Sequence, residues 1–135
     1  MNTALVTYLG DLRTRITHIY SGTEVLSDAP LDNHGLAQSF SPTDYVAAAL
    51  GSCMMTIMGI KARDMNIDLR GTVVEIRKIM AANPRRIGEI HVRVKFPVGS
   101  YTEKDKHILE NAAKTCPVAL SLHPEIKQEV SFIWP

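Results

Sequence analysis

Apolar and polar positions first alternate along the chain, then give way to one long uncharged run, then alternate again. Alternation with a period of two marks a half-buried strand. It predicts strands over residues 4–9, 13–20 and 23–26, parted by the turn signals Gly10-Asp11 and Ser21-Gly22. Together these read as a short antiparallel meander. Residues 28–40 are rich in Asp, Asn, Gly and Pro and have little period, so they read as a loop. Ser41-Pro42-Thr43-Asp44 then sets a Ser N-cap before a first-turn Pro, with an acidic residue three places after the cap, which announces a helix.

Residues 45–60 carry no charge. A bilayer span needs about 20 apolar residues, and Asp44, Arg63 and Asp64 bracket this run too closely, so it predicts a buried helix and no membrane span. Small residues (Ala47, Ala48, Ala49, Gly51, Ser52, Gly59) share it with Val46, Leu50, Met54, Met55, Ile57 and Met58. A helix apolar on every side must be covered on every side. One small domain has few elements for that, and a dimer burying the helix between subunits meets the need.

Beyond Gly71 a strand is predicted over residues 72–80, then another over 87–96, joined as a hairpin across Asn83-Pro84. In the second strand Ile90, Val92, Val94 and Phe96 point inward while Glu89, His91, Arg93 and Lys95 point outward. Thr102-Glu103-Lys104-Asp105 resembles a second capping box, opening a helix with Ile108, Leu109, Ala112 and Ala113 at helical spacing and ending near Thr115. Cys116 caps a short helix whose first residue is Pro117, and residues 128–134 close the chain as a strand. Strands, long helix, hairpin, helices and strand in that order make an α+β fold.

The 135 residues are 45% apolar, enough for one compact domain over residues 1–135. Lys and Arg number 15 against 14 Asp and Glu, for a formal charge of +1, and no block of like charge interrupts the chain. That leaves no electrostatic footprint for nucleic acid or an anionic membrane, and favours a small, nearly neutral partner. The opening MNTALVTYLGDLR lacks the pattern of a secretory signal, which predicts a cytoplasmic protein. Two cysteines are too few for a disulfide scaffold and lack metal-ligand spacing. His18, His34, His91, His107 and His123 are scattered, so no metal or cofactor is expected. Arg85 and Arg86 fit a solvated hairpin turn.

What remains is thiol chemistry or plain burial. A thiol at a helix N-terminus meets unpaired N–H groups and the positive end of the helix dipole, and Cys116 satisfies that condition. Cys53 lies about mid-helix among apolar neighbours, where ionisation needs a cation or a helix break. By itself Cys53 fits a small buried hydrophobe as well as a nucleophile.

The stretch Phe40-Ser41-Pro42-Thr43-Asp44-Tyr45-Val46-Ala47-Ala48-Ala49-Leu50-Gly51-Ser52-Cys53 resembles the peroxidatic-cysteine helix of the osmotically inducible protein C (OsmC) and organic hydroperoxide resistance (Ohr) superfamily. Cys116-Pro117-Val118 resembles its second motif. Gly10-Asp11-Leu12-Arg13, Ser21-Gly22, Asp28-Ala29-Pro30 and Pro84-Arg85-Arg86-Ile87 resemble one OsmC-like branch, so the resemblance covers essentially the whole chain. It implies an intertwined homodimer, with antiparallel sheets wrapped around two long central helices and active sites at the subunit interface. It also implies a cofactor-free thiol peroxidase acting on small organic hydroperoxides. Cys53 becomes a sulfenic acid, Cys116 resolves it as a disulfide, and a dithiol such as a lipoyl group restores the pair.

Members of the Ohr type carry a Glu directly after the motif Pro, where this chain has Thr43; Asp44 matches the acidic position of other branches. On an unbroken helix the nine residues from Asp44 to Cys53 turn about 900° and advance over about a dozen Å, which fits Asp44 as a capping residue better than as a catalytic one. The resemblance also implies an arginine near the thiolate, delivered from an N-terminal strand. Arg13 is the first candidate and Arg15, on the same strand face, the second. Two other functions compete: a noncatalytic dimer holding a lipophilic or acyl ligand in its interface cleft, and a cysteine hydrolase, for which no partner histidine or oxyanion hole is marked.

Overall fold

The structure, a computed structural model, describes all residues from Met1 to Pro135. It consists of two compact units, Met1–Val46 and Ala47–Pro135. The first unit holds β1 (Ala4–Gly10), β2 (Arg13–His18) and β3 (Glu24–Asp28), an antiparallel sheet in the order β1-β2-β3. This is the expected meander. Gly10, Asp11 and Leu12 all take positive φ in the first turn, and β2 begins immediately after it. The loop after β3 contains a short 3-10 turn, Leu31–Asn33, and folds back so that the Ala37 N–H donates to the Ala29 carbonyl at 3.1 Å.

That return is possible only with glycine at one place. A Cβ on Gly35 would lie 1.8 Å from the Ala29 carbonyl oxygen, inside any contact distance. The loop ends at α1 (Pro42–Asp64). The Ser41 N–H donates to the Asp44 carboxylate at 2.9 Å and the Asp44 N–H donates to the Ser41 hydroxyl at 3.1 Å, the reciprocal capping box expected there.

The second unit is built on β4 (Val73–Ala81), β5 (Arg86–Lys95) and β6 (Lys127–Ile133), in the order β4-β5-β6. β4 and β5 form the predicted hairpin, with a register shift between Ile79 and Met80. β6 runs parallel to β5, pairing His91 with Glu129 and Val92 with Val130. A parallel neighbour needs a long crossover, and α2 (Glu103–Ala113) and α3 (Pro117–Ser121) supply it. α2 has the predicted capping box of Thr102 and Asp105.

The core of this unit is Ile90, Val92 and Val94 of β5, Leu109 and Ala113 of α2, Cys116, and the α1 stripe of Ala47, Leu50, Met54, Met58 and Ala62. The stripe recurs every three or four residues, so one face of α1 is consumed. Gly51 lets the helix approach β4: a Cβ there would come within 2.5 Å of Ile76 Cδ1 and 3.0 Å of Val74 Cγ1. The other face, with Ala49, Ser52, Thr56 and Ile60, is exposed and uncharged. By length and composition α1 is apolar enough to cross a membrane, contrary to the sequence expectation, because its charges fall outside an 18-residue window of mean hydropathy 1.4. Its inward stripe is nevertheless spent on the protein core.

Candidate functional site

The unbroken α1 places Cys53 well inside a helix, half-buried against the core. Cys116 reaches the same spot from the crossover. α2 ends, the chain extends for one residue, and Pro117 starts α3, so Cys116 occupies the N-cap with its Sγ accepting the Ala119 N–H at 3.4 Å. Its side chain is fully buried. The two cysteines are free thiols, and they share a hydrogen bond. Residues far apart in sequence are therefore joined at their sulfurs.

The helix start was expected to favour a Cys116 thiolate, and the structure corrects that. Burial pushes the Cys116 thiol up from its ordinary value, its hydrogen bond to Cys53 and negative charge on Cys53 add to the rise, and the Ala119 and Val118 N–H groups only partly oppose it. A helix of five residues offers two N–H groups, whereas complete burial removes all water from the sulfur. Cys116 therefore keeps its proton.

Beside this pair, Ile57 and Ile60 of α1 and Ile108, Ala112 and Thr115 of α2 border an open groove of about 380 Å³. Its walls are mostly aliphatic. An alkyl chain would find contact there without stranding polar groups.

Arg13, Arg15 and Asp44 lie in the first unit. Arg13 stands opposite Asp28 in the β2–β3 register, its Nε 3.5 Å from Asp28 Oδ1, and its Nη2 donates to the Gln38 side-chain oxygen. Arg15 shares that face and sits 3.8 Å from Glu24, both side chains well exposed. Asp44 spends its carboxylate on the Ser41 N–H at the start of α1. Neither Asp28 nor Gln38 was singled out from sequence. Asp28 closes a strand and Gln38 sits in an aperiodic loop, so no pattern marks them.

The histidines are not all isolated. His91 Nε2 lies 2.8 Å from a Glu89 carboxylate oxygen and 3.0 Å from one of Glu129. The ligand-capable atoms of these three residues fall within 4.8 Å of one another, a set that could hold a divalent cation. Glu89 and His91 are visible as outward neighbours on one strand, but Glu129 arrives only through the parallel pairing of β6.

Comparison with known proteins agrees with this geometry. The family model for OsmC-like proteins matches residues 34–131. A proposed osmotic stress induced and detoxification response protein from Psychrobacter arcticus is 52% identical, with a TM-score of 0.94 over 98% of this chain and 96% of that one. An organic hydroperoxide resistance protein OsmC from Legionella pneumophila is 13% identical and superposes with a TM-score of 0.75 over 98% of each chain. One from Elizabethkingia anophelis is 16% identical, with a TM-score of 0.74 over 100% of this chain and 98% of that one. At such identities these two show the fold alone. No curated protein matches the chain.

Proposed function

The chain belongs to the OsmC-like family, and on that premise we propose that it is a thiol peroxidase that reduces organic hydroperoxides through Cys53 and Cys116. The observation that carries this reading is the hydrogen-bonded pair of free thiols, one half-exposed and one fully buried. The half-exposed Cys53 is the one a peroxide can reach. Its thiolate attacks one peroxide oxygen, the O–O bond breaks, and the alkoxide leaves as an alcohol after taking a proton, so that sulfur is oxidised to sulfenic acid.

Cys116, held protonated by burial, stays unreactive toward peroxide until that step is complete. It then attacks the sulfenic sulfur, hydroxide leaves with a proton as water, and the disulfide forms. A dithiol reductant such as a lipoyl group returns two electrons by thiol–disulfide exchange. Such cycling fits a reducing compartment, the cytoplasm. The names of the Legionella and Elizabethkingia proteins, which refer to organic hydroperoxide resistance, support the substrate class, and the aliphatic groove beside the thiols suits an alkyl chain.

In this reading Arg13 supplies the positive charge that favours the Cys53 thiolate, and Arg15 is the alternative. The working unit is a homodimer, supported by the exposed, uncharged face of Ala49, Ser52, Thr56 and Ile60 on α1. The test is a pair of single mutants. Cys53→Ser should consume no tert-butyl hydroperoxide. Cys116→Ser should react once per subunit and stall, leaving a sulfenic acid at Cys53 that dimedone traps. Unchanged peroxide consumption in both mutants would end the peroxidase reading, and ligand affinity without peroxide loss in the wild type would favour a noncatalytic binder.

A further inference from the structure

Asp28 is the one charged residue among the fully buried side chains, with 2% of its surface exposed. A carboxylate taken out of water is costly unless its charge is matched and its oxygens are hydrogen-bonded. Half of that requirement is met. The Gln38 N–H donates to Oδ2 at 2.9 Å, while Oδ1 faces Arg13 Nε at 3.5 Å, and both of those atoms are sealed from water without a hydrogen bond.

Gln38 grips both partners, since its N–H holds Asp28 and its side-chain oxygen takes a proton of Arg13 Nη2. The loop that delivers Gln38 is itself fixed by its return onto Ala29, which Gly35 permits. A guanidinium that only solubilised the surface would need none of this. A planar fork with five donors, pinned through Nε and Nη2, presents its remaining N–H groups in a fixed direction.

We propose that Asp28, with Gln38, is a positioning residue that holds the Arg13 guanidinium in the orientation from which it favours the Cys53 thiolate. The inference rests on the role proposed above for Arg13. It adds that an isolated arginine at this place would be too mobile to do that work, because its position depends on a buried carboxylate at the end of β3.

The experiment reads the pH profile of Cys53 alkylation by iodoacetamide, located by mass spectrometry, in full-length wild type, Arg13→Ala, Asp28→Asn and the double mutant. Asn keeps an oxygen for the Gln38 N–H and removes the charge. An opposite charge nearby lowers a pKa by about 1 to 3 units, so losing its orientation should slow alkylation near neutral pH about tenfold. Asp28→Asn should cause that loss in the wild-type background and none in the Arg13→Ala background, because the two changes remove one effect. A purely structural Asp28 would lower the melting temperature equally in both backgrounds and leave the pH profile unmoved, which would overturn the proposal. So would wild-type alkylation by Arg13→Ala.

Should Asp28→Asn fail to fold, Gln38→Ala, at an exposed position, frees Nη2 alone and should give a smaller slowing with the same dependence on Arg13; no slowing would count against the proposal. Peroxide turnover is measured separately. If the profile shifts as expected while no peroxide is consumed, the positioning role stands and the peroxidase reading falls. If Arg13→Ala slows alkylation and neither Asp28→Asn nor Gln38→Ala does, the reverse holds.

Discussion

Cys116 meets Cys53 through a hydrogen bond between thiols while lying wholly out of water itself. The asymmetry separates two groups of the same chemical type. Near neutral pH, iodoacetamide should modify Cys53 and leave Cys116 in native protein untouched, with both modified after unfolding in urea. Peptide mapping checks this, and equal labelling of the two in native protein would contradict it.

The raised Cys116 thiol has a consequence for stability. Folding holds its pKa above the unfolded value of about 9.0, so the unfolded chain ionises first as pH rises. Stability from this group is fully present below that value and is lost progressively above it. Chemical denaturation of the reduced protein should show a falling unfolding free energy above about pH 9, and Cys116→Ala should lessen the fall.

Asp28 works in the opposite direction. The Gln38 N–H and the Arg13 charge hold its carboxyl below the ordinary 3.8 against the opposing effect of burial. Its contribution is therefore present above the unfolded value and lost as pH falls through the folded one. Asp28→Asn should flatten the acid limb of the stability profile, and a carboxyl resonance titrating at or above 3.8 in the wild type would refute the assignment.

Gly51 sets how closely α1 approaches β4. Valine there adds a Cβ already too near Ile76 and Val74, and two further methyls, against a helix propensity gain below about 1 kcal/mol. Overpacking of this kind costs about 1 to 3 kcal/mol. Gly51→Val should lower the urea midpoint accordingly with little change in slope, and an unchanged midpoint would show that the sheet gives way.

The exposed face of α1 should be covered in solution. Sedimentation of the wild type at micromolar concentration should give a dimer, and Ile60→Glu, placing a charge on a face exposed at 55% in the single chain, should weaken it. Obligate interfaces typically bury more than about 2,000 Å². A folded wild-type monomer would remove the reason for this face being uncharged.

The sequence by itself determined the elements and their inward faces, because those depend on neighbours within a turn or a strand. Alternation at Ile90, Val92 and Val94 identified a buried strand face, and all three are fully buried. Ser41 with Asp44, and Thr102 with Asp105, marked two helix starts through hydrogen bonds that close within four residues. Resemblance in the same local words pointed to Cys53 and Cys116. Tertiary structure alone decided which residues met across long loops. The parallel crossover set Glu129 beside His91, and the fold-back at Gly35 brought Gln38 to Asp28 and Arg13. It also reversed the expected protonation of Cys116. Helix-start N–H groups can be counted in a sequence, but removal of water from a sulfur depends on every element packed around it, and for Cys116 that desolvation outweighed the dipole.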